Sequence, residues 1–239
     1  TVWAPVNCGY HATDFKYGKL YQWGRKYGYG YNGVLWDVSG NHIGEYSDAF
    51  VSEQETGPVD LATGQSSSNS NKFYYNSSSP YDWCSSMNDK LWNSGNEDNP
   101  VKTEYDPCPV GWRVPTYAEL DELNNNYSSW TTDDNGQSGR WFSGPNSYTA
   151  TVPQVFFPAA GYSEFIFWLR GAFGGYWSSR PSLYSSIYIT FLSFSGSDVD
   201  VTGGNPRHRG FTVRCVQDDI ETLPVILNEV KNLFNCFCK

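Results

Sequence analysis

Several residue types are scarce, and each scarcity excludes something. Methionine occurs once, and histidine only as His11, His42 and His208. Those three share no ligand or triad spacing, so neither a histidine-rich metal centre nor a nucleophile–base pair can be read from the sequence. No stretch approaches the roughly 20 apolar residues of a helical membrane span, so no membrane insertion is expected. Basic residues number 16 against 25 acidic ones, a net charge of -9. That balance argues against nucleic acid and against an anionic membrane surface, since both reward a basic face. No Cys-x-x-Cys pair is present, which speaks against zinc. Gly24, Gly28, Gly30 and Gly33 follow no clear strand and open no helix, so a phosphate-cradling loop is excluded. No cofactor is implied. The opening at Thr1 without methionine reads as a processed form or an excised piece.

Aromatic rings are abundant. They make up 18% of the chain, including 10 Trp and 18 Tyr, which points to an interior of rings whose polar atoms need partners. Six cysteines, Cys8, Cys84, Cys108, Cys215, Cys236 and Cys238, are consistent with disulfides in an oxidising compartment or with buried thiols. Acid pairs at Asp133-Asp134, Asp218-Asp219 and Glu119 with Glu122 read as solvated charge, and Asp198-Val199-Asp200 as a polar loop or part of a calcium site.

Local signals give the elements. Residues 17–24 can form a short helix ended by Gly24, and 64–70 an exposed loop. Thr116 with Glu119 makes a capping box for a helix over 116–125, with Leu120 and Leu123 on its apolar face. Strands are expected at 152–157, 188–194 and 211–216. Leu223, Ile226, Leu227, Val230, Leu233, Phe234 and Phe237 recur at helical spacing. The tail 220–239 is therefore expected to be an amphipathic helix offering 223–237 to the domain or to a partner. The class is α+β, with helices early and a small, mainly antiparallel sheet late.

The segment Asp106-Pro107-Cys108-Pro109-Val110-Gly111-Trp112-Arg113-Val114-Pro115-Thr116, followed by Glu119-Leu120, resembles the FISUMP-type major paralogous domains of surface and secreted proteins of gut bacteria. Three further stretches are similar: residues 3–7, 157–162 with 175–179, and 210–216. The resemblance spans residues 3–218 and implies a single C-type-lectin-like domain over 1–219, with short helices, a small sheet and long ordered loops. The helix start and the closing Gly-Phe-x-Val-Arg strand are also similar to those of formylglycine-generating enzymes. The reactive cysteine pair of those enzymes has no counterpart in 176–209, so their chemistry is not carried over. Glu-Pro-Asn and Gln-Pro-Asp calcium triplets are absent as well. The resemblance implies a Cys108–Cys215 disulfide and, beside it, a Cys8–Cys84 one.

From Ser178 to Val213 there is no Lys, Glu, Gln, Met or Trp. Every residue type present there can be encoded by an NNC codon, the repertoire left by adenine-directed mutagenesis of AAC codons. Diversity-generating retroelements act this way at the C-terminal end of C-type-lectin-like proteins. The expected function is a non-catalytic, extracytoplasmic binding protein, on a cell surface, secreted or on a phage virion. Its variable region would be about 178–209 and its ligand a protein or a glycan on a cell surface. The expected contacts are Arg180, Ser182, Leu183, Tyr184, Ser185, Ile187, Ile189, Phe191, Ser193, Asp198, Asp200, Thr202, Asn205 and His208. Along 187–194 the face of Ile187, Ile189 and Phe191 is expected to be open, and that of Tyr188, Leu192 and Phe194 to be core. A fixed-specificity carbohydrate-binding module, stacking sugar on Trp168, Tyr176 or Trp177, is the alternative, beside a purely structural domain and a vestigial enzyme.

Overall fold

The computed structural model describes residues 1–37, 39, 41–48, 51–125, 127–134, 136–143, 154–164, 167–182, 185–201 and 203–218. The expected tail helix, Cys236 and Cys238, Leu183, Tyr184, Thr202 and the start of the strand at 152–157 lie outside these residues.

Strands dominate, which corrects the α+β expectation. The described residues form seventeen strands against two α-helices, Leu61–Gly64 and Tyr117–Asn124, and one 3-10 turn, Ser67–Asn69. Nor are the sheets confined to the C-terminal part. The physical reason is in the composition: dense Gly, Asn, Ser and ring residues punctuate the chain too often for helices to propagate. The 17–24 segment illustrates this. Tyr21–Gln22 is a strand pairing with Gly210–Phe211, not a helix. Gly24 has φ +86°, and a Cβ there would lie 2.5 Å from Leu91 Cδ1, so its left-handed conformation serves a tight turn against the core.

The helix at Tyr117–Asn124 is the one the sequence announces. The Thr116 side chain accepts from the Glu119 N–H, and the Glu119 carboxylate accepts from the Thr116 N–H. Arg113 grips the same carboxylate bidentately at 2.7 and 2.8 Å, so the capping acid also ties the helix to the strand Trp112–Arg113. Leu120 and Leu123 are buried.

The longest strands form a hairpin, Gly174–Ser182 against Ser185–Phe194, in register from Gly174↔Phe194 to Ser182↔Ser185 with irregularities around Pro181. Val199–Asp200 and Gly204–Pro206 both pair with Ser185–Phe194. A second four-stranded sheet runs Tyr21–Gln22, Gly210–Phe211, Tyr162–Ser163, Phe167–Trp168. Ser128–Asp134, Gln137–Ser143 and Gln154–Pro158 make a three-stranded meander. In place of one strand over 211–216, the chain forms Gly210–Phe211 and Val216–Gln217 with an extended link at 212–215, and the N-terminal segment lies along that link, through Ala4 N to Cys215 O at 2.9 Å and Cys8 N to Val213 O at 2.8 Å.

Strand Ser185–Phe194 divides two ring-rich cores. Ile189 and Phe191 join Trp23, Trp83, Trp92, Trp177 and Phe211 on one side. Leu192 and Phe194 join Leu120, Phe142, Phe157 and Tyr176 on the other. Indole donors are paired with backbone carbonyls, as Trp23 with Ser178, Trp83 with Trp23 and Trp177 with Tyr21 at 2.6–2.9 Å. Four arginines, Arg25, Arg170, Arg207 and Arg214, are almost wholly buried. They anchor the loops by donating to carbonyls and acids while lying over rings. Arg214 bonds Asn7 Oδ1, Ala4 O and Phe156 O at 2.7–2.9 Å with Phe157 4.6 Å away. Burial lowers the Arg214 guanidinium to about 10.

Cys108 and Cys215 are bonded, linking the loop before Trp112–Arg113 to the link before Val216–Gln217. Cys8 and Cys84 are free thiols, which corrects the expected second bridge. Cys84 is instead held by a bridge to Val59, and Cys8 lies beside the existing disulfide.

Candidate functional site

A cleft of about 680 Å³ opens where the hairpin meets the loop 89–98. One wall is Arg180, Pro181, Ser182, Ser185 and Ser186; the other is Asp89, Asn96, Glu97 and Asp98, with Tyr117 at the helix start.

Local chemistry makes the loop wall rigid. The buried Asn93 carboxamide accepts from the N–H groups of Gly95 and Val101 at 2.9 and 2.8 Å. Asn96 does the same for Asp98 and Asn99 at 3.0 and 2.8 Å. These are side-chain turns of the kind Asn favours. Glu97 accepts from the Ala118 N–H at 3.2 Å in the first turn of the helix, where the dipole favours an anion. Its other oxygen lies 3.7 Å from Arg180 Nε, while Arg180 Nη1 donates to Gly95 O at 3.3 Å. The two walls therefore meet through Arg180.

Arg207 fixes both walls from below. It donates to Asn88 O at 3.1 Å, to Ser186 O at 2.6 Å and to the Asp89 carboxylate, with Trp23 under its guanidinium at 4.7 Å. Asp82 Oδ2 lies 3.8 Å from Arg207 Nε. Burial raises the Asp82 carboxyl to about 6, partly offset by N–H donors at Cys84 and Trp83 and by Arg207. The neighbouring His208 packs edge-on to Tyr75, with Nδ1 3.0 Å from Tyr81 O. Its Nε2 finds no hydrogen-bond partner among the described residues, and burial lowers its pKa.

The sequence-derived contacts separate into groups. Arg180, Ser182 and Ser185 line the cleft, and Ile187 is half-buried just beyond it. Ser193, Asp198 and Asp200 sit at the far end of the strand, where Ser193 Oγ donates to Asp200 O at 3.3 Å. Arg140 clamps the adjoining turn through Ser195 O and Gly196 O at 3.0–3.2 Å. Ile189, Phe191, Asn205 and His208 are 0%, 7%, 9% and 2% exposed, so they are not open contacts. The expected open face of Ile187, Ile189 and Phe191 is thus corrected. From Ile189 to Phe194 the strand alternates as expected but each face meets a core, and Tyr188, expected in the core with Leu192 and Phe194, is only half-buried. The stacking set changes likewise: Tyr176 and Trp177 are fully buried, and only Trp168, 40% exposed, offers a ring.

The loop wall lies outside the restricted segment and was not foreseen. The run Asn93-Ser94-Gly95-Asn96-Glu97-Asp98 carries a signal in hindsight: it is turn-forming and acid-bearing at once. Among the described residues, the sulfur atoms of Cys8, Cys108 and Cys215 lie within 4.8 Å of one another, but Cys108 and Cys215 are bonded to each other and so offer no thiolates to an ion. A second hollow, of about 530 Å³, lies along Asn32–Val34 with Glu45 and Ser47. It belongs to one hairpin and includes no residue of the restricted segment.

No family model, no curated protein and no solved structure matches the chain. No helix among the described residues is long and apolar enough to cross a membrane, and the bonded cysteine pair is compatible with an extracellular location.

Proposed function

We propose that the chain is a non-catalytic, surface-displayed ligand-binding protein of adhesin or receptor-binding type, akin to the FISUMP-type domains it resembles. Its region of about 178–209 is diversified by a retroelement, and its ligand is a protein or a glycan on a cell surface. The observation that carries this reading is the cleft. One of its walls, Arg180, Pro181, Ser182, Ser185 and Ser186, comes from the segment with the restricted residue set, and the other from an ordered loop outside that segment. A changeable wall facing a fixed one is a suitable arrangement for variable recognition, as loops on a rigid scaffold are elsewhere. The contacts are then Arg180, Ser182 and Ser185, opposite Asn96, Asp98 and Tyr117.

A fixed-specificity carbohydrate site is supported by one feature, the ring of Tyr117 in the same cleft as Asn96 and Asp98. Sequencing the locus across isolates separates the two. Substitutions concentrated at 180–186 and 193–200, at AAC-derived codons, support the variable reading; an invariant cleft supports the fixed one. Binding to a glycan array and to intact cells should be lost in Arg180→Ala with the melting curve preserved. Undiminished binding by that variant would place the ligand elsewhere.

A further inference from the structure

Three sulfur atoms meet in the interior. Cys8, Cys108 and Cys215 each place Sγ within 4.8 Å of the other two, although only Cys108 and Cys215 are bonded. Cys8 is held there by backbone, through its N–H to Val213 O and its carbonyl to the Lys19 N–H at 3.0 Å. Its thiol donates to Pro107 O at 3.3 Å and accepts from the Tyr21 hydroxyl at 3.2 Å. Cys84, the other described free thiol, is not part of this group.

A thiol fixed beside a disulfide is the arrangement that exchange requires. We propose that Cys8 exchanges with the Cys108–Cys215 disulfide, moving the cross-link to Cys8–Cys108 or Cys8–Cys215. Cys8 gives its proton to solvent base, and its sulfur lone pair forms the bond to Cys108. The Cys108–Cys215 bond breaks, its electron pair leaves on Cys215, and Cys215 takes up a proton. Attack on Cys215 instead leaves the thiol on Cys108. One disulfide and one thiol exist before and after, so no oxidant or reductant is consumed.

The relocation changes which part of the chain is closed. The Cys108–Cys215 loop contains the wall of Arg180, Pro181, Ser182, Ser185 and Ser186, whereas a Cys8–Cys108 loop would contain Asp89–Asp98. Exchange to Cys8–Cys108 thus shifts the covalent restraint from one wall of the cleft to the other, whereas exchange to Cys8–Cys215 closes a loop that contains both. It also ties down the N-terminal segment, which is otherwise held along the link 212–215 by hydrogen bonds. This inference does not depend on what the cleft binds.

The groups around Cys8 make the exchange slow and pH-dependent. Burial pushes the thiol up to about 11, helped by Asp106 and opposed by Tyr21, Lys102 and Lys19. Since the thiolate is the nucleophile, the rate should rise roughly tenfold per pH unit below that value. The test uses the full chain with Cys236→Ser and Cys238→Ser, so that those thiols cannot compete. The oxidised protein is held without oxygen or reductant at pH 7–10, quenched with acid, alkylated and mapped by mass spectrometry. Peptides bridged through Cys8 should accumulate at constant total thiol, with Cys84 still alkylated. In Cys8→Ser, Cys108–Cys215 should stay the single bridge; if that variant fails to fold, the wild-type time course decides alone. Finding only Cys108–Cys215 at every pH, or bridges through Cys84 forming as readily as through Cys8, would overturn the proposal.

Discussion

Truncation of the hairpin strand discriminates between a one-sided and a two-sided burial of its residues. Phe191 is 7% exposed, with ring centroids 4.9 Å from Phe211 and 6.2 Å from Trp177. Leu192, its neighbour, is 0% exposed on the opposite face, in the core with Phe157 and Tyr176. Phe191→Ala removes a whole ring between two fixed neighbours, and the surrounding strands are paired on both sides, so the cavity cannot readily collapse. The expected cost is about 3–5 kcal/mol, and about 2–5 kcal/mol for Leu192→Ala. For a domain of this size each kcal/mol lowers Tm by roughly 2–4 °C, so falls of about 6–20 °C and 4–20 °C are expected. Both variants should be melted side by side, by calorimetry or near-ultraviolet circular dichroism. A Tm for Phe191→Ala within about 1 °C of wild type would refute the two-core description. It would also restore the Ile187, Ile189 and Phe191 face as an open surface.

Removing the disulfide by Cys108→Ser with Cys215→Ser opens a loop with a sequence separation of 107, which the chain-entropy model values at roughly 4–5 kcal/mol; denaturant titration unchanged by the double substitution would contradict this. Glu119→Ala loses the capping bond and the Arg113 pair together, and about 1–3 kcal/mol should disappear from the same titration, with a smaller loss for Glu119→Gln. Acid titration should show two opposed trends. The folded-state pKa of Asp82 is raised, so its contribution is fully present below its ordinary 3.8 and is lost as pH rises through about 6. The folded-state pKa of His208 is lowered, so its contribution is present above its ordinary 6.5 and is lost as pH falls below that. His208→Gln should flatten the loss on acidification, and Asp82→Asn should steepen it; stability curves of unchanged slope in both would count against the assigned burial.

What the sequence disclosed and what it hid divide along the range of the forces involved. The capping box at Thr116 and Glu119 is a local device, complete within four residues, and it appears where the spacing puts it. The strand 185–194 was legible as alternation, because side chains must leave a strand on opposite faces. Which face meets solvent is not a local property. It depends on Trp177 and Phe211 arriving on one side and on Leu120, Phe142 and Phe157 on the other. The dominance of strands was hidden for a similar reason. Many of the strands are two to four residues long and exist through partners distant in sequence, as Tyr21–Gln22 does through Gly210–Phe211. The buried arginines left no signal, since a guanidinium is ordinarily a surface group.

Arg207 shows how this hidden layer bears on recognition. It lies inside the segment with the restricted residue set, yet it is 0% exposed and holds Ser186 of one cleft wall and Asn88 and Asp89 of the other. Replacing it would leave Asp82 buried beside an empty place and release both walls at once, a loss that removal of one partner of a buried ion pair puts at about 3–5 kcal/mol. A process that varies this stretch must therefore spare Arg207 as strictly as Ile189 and Phe191, while the exposed side chain of Ser186, which lines the cleft, can change at little cost to folding. Freedom to vary then tracks side-chain burial position by position rather than the boundaries of the segment. Melting Arg207→Met beside Ser186→Tyr separates the two classes: the first should fall steeply, and the second should stay within about 0.5 kcal/mol of wild type. Equal tolerance at both positions would remove Arg207 from the framework of the cleft.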